Sequence, residues 1–459
     1  MLSLSGVTTS ARRRDMAIVA LFMALCAWIL WRRGYRWGDD DWFLGMVRTK
    51  HLSEFLVHRY TEWSSRISIE AAIALTIEHL WLWRFLNWLM VLCMVWLVAK
   101  LLPSGGQRSV LPLFCAGFFL FDPQVLYWSI WWVTGSFNYF WPAVLAMLAM
   151  LPFLWPEAGR RVFWFSIPAV LFAGFHEQVV LLLLGLQLVL AGWLWRQKRL
   201  TELHLLQMAL CGVLLLVVLW SPGSRLRFQA ALVVMPGFER LALWERLVQG
   251  LDNFLGHIFF VGNGVTWLWV VMLTWLVWQL PLARLVRVLM GIVLMLYTLV
   301  LVAPWILLLW PDTWMGITAS WLLHTPAYMH SAWDSLTYSL LDPANKVGVA
   351  YWARMGLFTM AMWILTYATY ACLRQTSSGR ACLAVVMVVA SVLTSAVVGL
   401  SPTVYLSGQR VFLFSDLLLL LVCCMLYQAA PAEKAWPRWL WGVVALLAGH
   451  GVWQALTKA

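Results

Sequence analysis

Three adjacent carboxylates, Asp39, Asp40 and Asp41, stand beside Trp42 just past the first long apolar run of the chain. Neighbouring carboxylates resist ionising together, which suits a general base or a site for a divalent cation such as Mg or Mn. One of them could instead cap a helix beginning near Trp42, although capping accounts for a single carboxylate and leaves two. Further on come His58-Arg59-Tyr60 and Trp63-Ser64-Ser65-Arg66. The planar guanidinium forks of Arg59 and Arg66 match phosphate oxygens, or they pair with Glu62 and Glu70 at helical spacing. Thr134-Gly135-Ser136-Phe137-Asn138-Tyr139 follows a tryptophan-rich stretch, and His176-Glu177 interrupts a 34-residue apolar run, Val162 to Trp195. Polar atoms at membrane depth must line protein or water, so Asn138, Tyr139, His176 and Glu177 are candidate ligand contacts; an ordinary turn is the plainer reading of His176-Glu177. Two segments, Ser221-Pro222-Gly223-Ser224-Arg225 and Ser401-Pro402-Thr403 to Gln409-Arg410, each end an apolar run with Ser-Pro and bring an arginine soon after. Arg225, Arg227 and Arg410 thus stand where an anionic headgroup would lie, though single arginines at an interface also snorkel.

The elements that must position these residues are membrane helices. Of the 459 residues 63% are hydrophobic and only 11% charged, far below the roughly 25% charge of soluble domains. Continuous apolar runs long enough for a bilayer of about 30 Å exclude a barrel of short alternating strands. The chain therefore reads as all-α, one polytopic domain over residues 1–459. It has about thirteen spans: Met16–Trp31, Trp81–Leu102, Ser109–Phe121, Pro142–Trp155, two within Val162–Trp195, Leu203–Trp220, Gly256–Leu280, one ending at Trp310, Trp352–Leu373, Ala381–Leu400, Val411–Leu426 and one after Pro437. The eight cysteines fall in or beside apolar runs, which argues against a disulfide framework or a Cys-rich metal site. Arg12-Arg13-Arg14 before Met16 has no small-residue cleavage site after the apolar run, so that run reads as an uncleaved span.

Basic residues orient the chain. The turns assigned to the cytoplasm carry half of the 32 Lys and Arg, against only Asp15, Glu157, Glu202 and Glu433; elsewhere basic and acidic residues balance. The net charge of +12 is thus a positive-inside signature with a cytoplasmic N-terminus, and nucleic acid is excluded as its partner. Three long segments, 32–80, 221–255 and 311–351, fall on the outer side, where loops on a rigid scaffold carry function. The 34 tryptophans, among them Trp128, Trp131, Trp132 and Trp141, read first as an interfacial belt and second as stacking platforms. No P-loop, GxGxxG or HExxH is present, which removes support for ATP-driven transport and zinc proteolysis.

An Asp-Asp-aromatic motif in the first outer loop of a many-spanning chain resembles the GT-C class of membrane glycosyltransferases. More closely, the chain resembles a family of glucosyltransferase-like bacterial membrane proteins of unknown function over residues 15–430. The ordered features are Asp40-Asp41-Trp42, Trp63 to Arg66, Thr134 to Tyr139, Gly174 with Glu177, Pro222-Gly223 with Arg225 or Arg227, and Ser401-Pro402 with Arg410. Ser65-Arg66 departs from the Gly-Arg of that family, and Pro222-Gly223-Ser224 from its Pro-Gly-Asn. The resemblance implies a polyprenyl-phosphate sugar donor, a glycan or lipid acceptor of the cell envelope, and an outer-face site in the bacterial inner membrane among membrane lipid. It implies that Asp40 or Asp41, with Asp39 alongside, acts as base or metal ligand, while Arg225, Arg227 or Arg410 neutralises the departing phosphate and Asn138, His176 and Glu177 hold sugar or acceptor. A transporter or flippase of lipid-linked saccharides, or a polymerase of them, is the competing expectation.

Overall fold

A computed structural model of the chain describes residues 9–33, 37–103, 108–155, 157, 159–260, 263–309, 346–431 and 436–457. Among them all regular structure is helical. Helix α1 is Thr9–Arg33, and three short helices follow: α2 Asp39–Thr49, α3 Leu52–Glu62 and α4 Ile67–Thr76. Next come α5 Leu80–Leu101, α6 Leu111–Phe118, α7 Pro123–Trp131 and α8 Val133–Leu154. Helices α9 Gly159–Ala173, α10 Glu177–Arg196, α11 Glu202–Leu219, α12 Pro222–Ala231 and α13 Leu243–Phe259 lead to α14 Gly264–Gln279. The chain closes with α15 Arg284–Leu309, α16 Lys346–Arg374, α17 Ser378–Ala396, α18 Leu413–Ala429 and α19 Arg438–Thr457.

Ten of the described helices are long and apolar enough to cross a membrane, or up to twelve if two bent pairs each count as one span. That makes the chain a multi-pass membrane protein. The count differs from thirteen for local reasons. Ser109–Phe121 shrinks to the eight-residue α6, turned by 90° into α7 where Asp122 caps the new helix through Gln124 N. Val162–Ala173 lies in the 15-residue α9, which contains Pro168. Gly256–Leu280 is split by a 72° bend between α13 and α14. Segment 32–80, expected as a loop, is mostly the helices α2, α3 and α4; segment 311–351 lies largely outside the described residues.

Burial sorts the bundle. The span Gln409–Ala429, which contains α18, is 89% buried, against 22% in α19 and 33% in α1, so α18 lies at the centre of the bundle and those two at its periphery. Helices α6, α14, α16 and α17 pack on it, and α9 packs on α8. At one end of the bundle basic residues tie helix termini together. Arg199 pairs with Glu157, the Lys100 ammonium lies 5.3 Å from the Trp155 ring, and Arg108 donates to the Ala430 and Pro431 carbonyls. The short helices α2–α4, the kinked start of α8, α12, and the 397–412 segment make up the other end.

Candidate functional site

The features singled out in the sequence meet there. Asp39, Asp40 and Asp41 form the first turn of α2 after Gly38, whose φ of 58° favours glycine. The three carboxylates part company at once, because successive helical residues point about 100° apart. Asp40 is wholly buried, whereas Asp39 and Asp41 are exposed. The Asp40 Oδ1 accepts the Thr134 N–H at 3.0 Å and the Thr134 hydroxyl, and Oδ2 accepts the Trp37 N–H at 3.3 Å. Burial raises its carboxyl from 3.8 to about 6, with the bonds from Thr134 and Trp37 opposing the rise. Trp132 locks the same corner by donating from Nε1 to the Trp37 carbonyl at 3.1 Å.

From Thr134 a polar chain continues. The Asn138 Nδ2 donates to the Thr134 carbonyl one turn back at 2.8 Å, and its Oδ1 accepts from Arg66 Nη1 at 2.7 Å. Arg66 Nε donates to Glu177 Oε2 at 2.8 Å, with Nη2 2.7 Å from the same oxygen. Arg227 Nη2 donates to the other oxygen, Oε1, at 2.7 Å. One carboxylate therefore holds two guanidinium groups, and residues from α2, the start of α4, α8, α10 and α12 form one connected network. Two π-helical turns, Tyr127–Trp131 and Ser136–Phe140, flank Thr134, an irregularity that often marks functional stretches of helix. Gly223 lets α12 approach closely: a Cβ there would stand 2.5 Å from Trp63 N and 2.6 Å from Ser64 N.

Arg410 approaches from another direction. Its guanidinium lies 5.8 Å from the ring centres of both Trp132 and Tyr139, its Nε donates to the Ser407 carbonyl, and its own carbonyl accepts from Ser129 Oγ at 3.1 Å. It pairs with no carboxylate among the described residues. Tyr139 also stands edge-on to His176, with ring centres 5.5 Å apart, and is near enough to Arg66 to interact with it electrostatically. His176 is 2% exposed, and neither ring nitrogen has a hydrogen-bond partner among the described residues. Burial, helped by Arg66, pushes the imidazole well below its ordinary value, so it is neutral, with one donor and one acceptor unused. An unsatisfied buried polar group of this kind calls for a role. Phe414, 5.6 Å from the His176 ring centre, separates this site from a cavity of about 80 Å³ between α8, α10, α17 and α18, lined by apolar side chains such as Ala143, Met147, Val179, Leu183 and Leu417.

Two expected contacts lie elsewhere. Arg59 is buried in a two-point ion pair with Glu70, its Nη2 3.0 Å from Oε1 and its Nε on Oε2, with Trp42 4.7 Å from the guanidinium. Its partner is thus across α3 and α4 and is neither Glu62 nor a residue one turn away, and the pair clamps those helices together. Arg66 likewise takes Glu177 as its ion-pair partner. Arg225 is exposed on α12, two residues before Arg227. The triplet does not fit a divalent cation either: Asp40 is engaged by Thr134, Asp39 and Asp41 diverge, and no group of three His, Cys, Asp or Glu side chains gathers among the described residues.

The sequence reading passed over a second buried cluster. His257 on α13, Asn263 at the start of α14 and Asp416 on α18 are all essentially inaccessible and mutually hydrogen-bonded, with Gln409 completing the set. Asp416 was the available signal, a lone carboxylate inside the apolar run Val411–Leu426. No family model, curated protein or solved structure matches the chain.

Proposed function

We propose that this protein is a membrane glycosyltransferase that moves a sugar from a polyprenyl-phosphate donor to a glycan or lipid acceptor, on the outer face of a bacterial inner membrane, with its N-terminus in the cytoplasm. The observation that carries the reading is the surplus of cations at one place. Arg66 and Arg227 share the single carboxylate of Glu177, and Arg410, beside Tyr139, pairs with no carboxylate among the described residues, which leaves the site short of negative charge, with an apolar cavity beyond Phe414. An anionic head with an apolar tail complements both parts. Planar guanidinium groups bind phosphate through paired donors, and neutralising the charge that develops on a leaving group supplies much of the rate enhancement in many group transfers.

In this reading an acceptor hydroxyl loses its proton to a carboxylate, its oxygen attacks the anomeric carbon, and the bond to the lipid phosphate breaks as the arginines take up the negative charge. The exposed carboxylates Asp39 and Asp41 are the ones an acceptor can reach; buried Asp40 holds the first turn of α2 against Thr134. The neutral His176, with Asn138 and Tyr139 beside it, supplies donor and acceptor positions for hydroxyl groups. The sharp bends at α6–α7 and α13–α14 favour a second reading, transport of a lipid-linked saccharide, because broken helices build transporter sites.

The test uses the protein in lipid nanodiscs with a panel of radiolabelled polyprenyl-phosphate sugars, with and without divalent metal. Turnover that Asp41→Asn or Asp39→Asn lowers by about 10²–10⁴-fold supports the transferase and names the base. Saturable binding without turnover supports transport. No binding by the wild type to any member of the panel sinks both readings.

A further inference from the structure

The cluster around His257 lies next to Arg410, and its hydrogen bonds surround the ring mostly with oxygen acceptors. The His257 Nδ1 is 2.9 Å from Gln409 Oε1, and its Nε2 is 2.9 and 3.1 Å from the two oxygens of Asp416. Nδ1 faces the Gln409 amide oxygen and Nε2 faces both Asp416 oxygens, so the doubly protonated imidazolium donates at each nitrogen, while Asn263 Nδ2, 2.9 Å from Nε2, is a donor beside that same nitrogen. Asn263 supports the carboxylate by donating from Nδ2 to Asp416 Oδ1 at 2.6 Å, while its Oδ1 caps α14 through Val265 N. Asp122 adds a second carboxylate to the electrostatic surroundings of the ring. The imidazole lies flat on Phe412, with centres 4.1 Å apart and planes 6° apart. Gln409 and Phe412 bracket Arg410 within one turn of 3₁₀ helix, Gln409–Phe412, and Gly408 enters that turn at φ 68°. On its other side the turn is held through its backbone, where Ser129 Oγ donates to the Arg410 carbonyl.

We propose that the buried His257 imidazolium, held by Asp416 and Asn263, positions Arg410 through Gln409, making His257 and Gln409 positioning residues for the anion that Arg410 binds. The inference rests on the reading of Arg410 as a phosphate contact. It joins the α13–α14 bend to the anion site, since His257 lies in the last turn of α13 and Asn263 caps the start of α14.

Three measurements decide it. Solid-state NMR of ¹⁵N-histidine-labelled protein in lipid, with His257 assigned by its loss in His257→Gln, shows two protonated ring nitrogens; a neutral-imidazole signature overturns the proposal. Modification of Arg410 by phenylglyoxal, followed by mass spectrometry, needs no ligand. Gln409 is partly exposed, so Gln409→Met spares the core, and it accelerates the modification several-fold, while Gln409→Glu, which keeps an acceptor, restores the wild-type rate. Equal rates in all three proteins overturn the proposal. Finally, Gln409→Met weakens binding of polyprenyl phosphate in nanodiscs about tenfold, and adds nothing in an Arg410→Ala background. An additive loss there refutes action through Arg410. A wild type that binds no polyprenyl phosphate defeats the proposed function instead, and the modification rates still decide the positioning.

Discussion

Replacing Asp40 with asparagine separates its structural part from any catalytic one. Asp40 is wholly buried and its carboxyl sits at about 6 instead of 3.8, with desolvation as the main cause. The folded state therefore binds this proton more tightly than the unfolded chain does. Stability from this group is greatest below the unfolded value near 3.8, falls as pH rises towards 6, and stays at its lower level above that. The difference corresponds to about 3 kcal/mol against the folded state at neutral pH. Asparagine removes that charge and keeps an oxygen for both Thr134 donors, but its amide meets the Trp37 N–H as a second donor. Losing that 3.3 Å bond costs about 1 kcal/mol. Asp40→Asn is thus expected to stabilise the fold by about 2 kcal/mol at pH 8, with the gain shrinking between pH 6 and 4 and reversing below. Thermal unfolding read by a thiol-reactive dye suits this protein, because six of the eight cysteines are buried and only Cys382 is exposed. A variant less stable than wild type by the same amount at pH 8 and pH 4.5 would show that hydrogen bonding, and not the buried charge, governs Asp40.

Glu177→Gln leaves Arg66 and Arg227 without their shared counter-ion. A fully buried pair broken this way costs about 3–5 kcal/mol, but the side chains here keep 18% to 32% exposure, so a loss of about 2 kcal/mol is expected in the same melting assay. The same variant should bind polyprenyl phosphate more tightly, because two guanidinium groups are released; weaker binding counts against a phosphate site. Arg59→Met alone should cost about 3–5 kcal/mol by stranding Glu70, while Arg59→Met with Glu70→Met should recover most of it, as buried pairs often tolerate joint apolar replacement; melting of the single and double variants decides this. Gly223→Ala forces a methyl onto the backbone of Trp63 and Ser64 and should cost about 1–3 kcal/mol, with Arg227 pulled off Glu177 and anion binding weakened in parallel. Normal binding by that variant would detach α12 from the site.

How far these features could be read beforehand depends on the range of the forces involved. An apolar run of about twenty residues has one stable place in a bilayer, and α5, α10, α11, α17 and α18 fall close to where hydrophobicity puts them. The expected boundaries miss where local chemistry intervenes, as at Asp122 capping α7 and Asn263 capping α14. Each caps through its own side chain to the backbone N–H two residues on, a short signal inside a long apolar stretch. Pairing of charges was less legible. Helical spacing offers Glu62 and Glu70 to Arg59 and Arg66, yet Arg66 spans 111 positions to Glu177 and Thr134 spans 94 to Asp40. Local spacing cannot rank such partners, because the gain depends on which groups the fold desolvates together.

Several of the singled-out residues nevertheless meet in space, and the Asp triplet shows what a row of residues does and does not reveal. Three identical residues in a row cannot be told apart by composition, but a helix turns each to a different environment. Asp40 goes inward to Thr134, and Asp39 and Asp41 stay outward. Asp416 makes the complementary case. A single carboxylate in an otherwise apolar helix persists only if something meets its charge, so its presence in Val411–Leu426 already demanded a cationic or donor partner at depth. His257 and Asn263 are those partners, and Gln409, which precedes Arg410 in the chain, bonds the other side of the His257 ring. Charge that hydrocarbon cannot tolerate is thereby paired and hydrogen-bonded within one buried cluster beside Arg410.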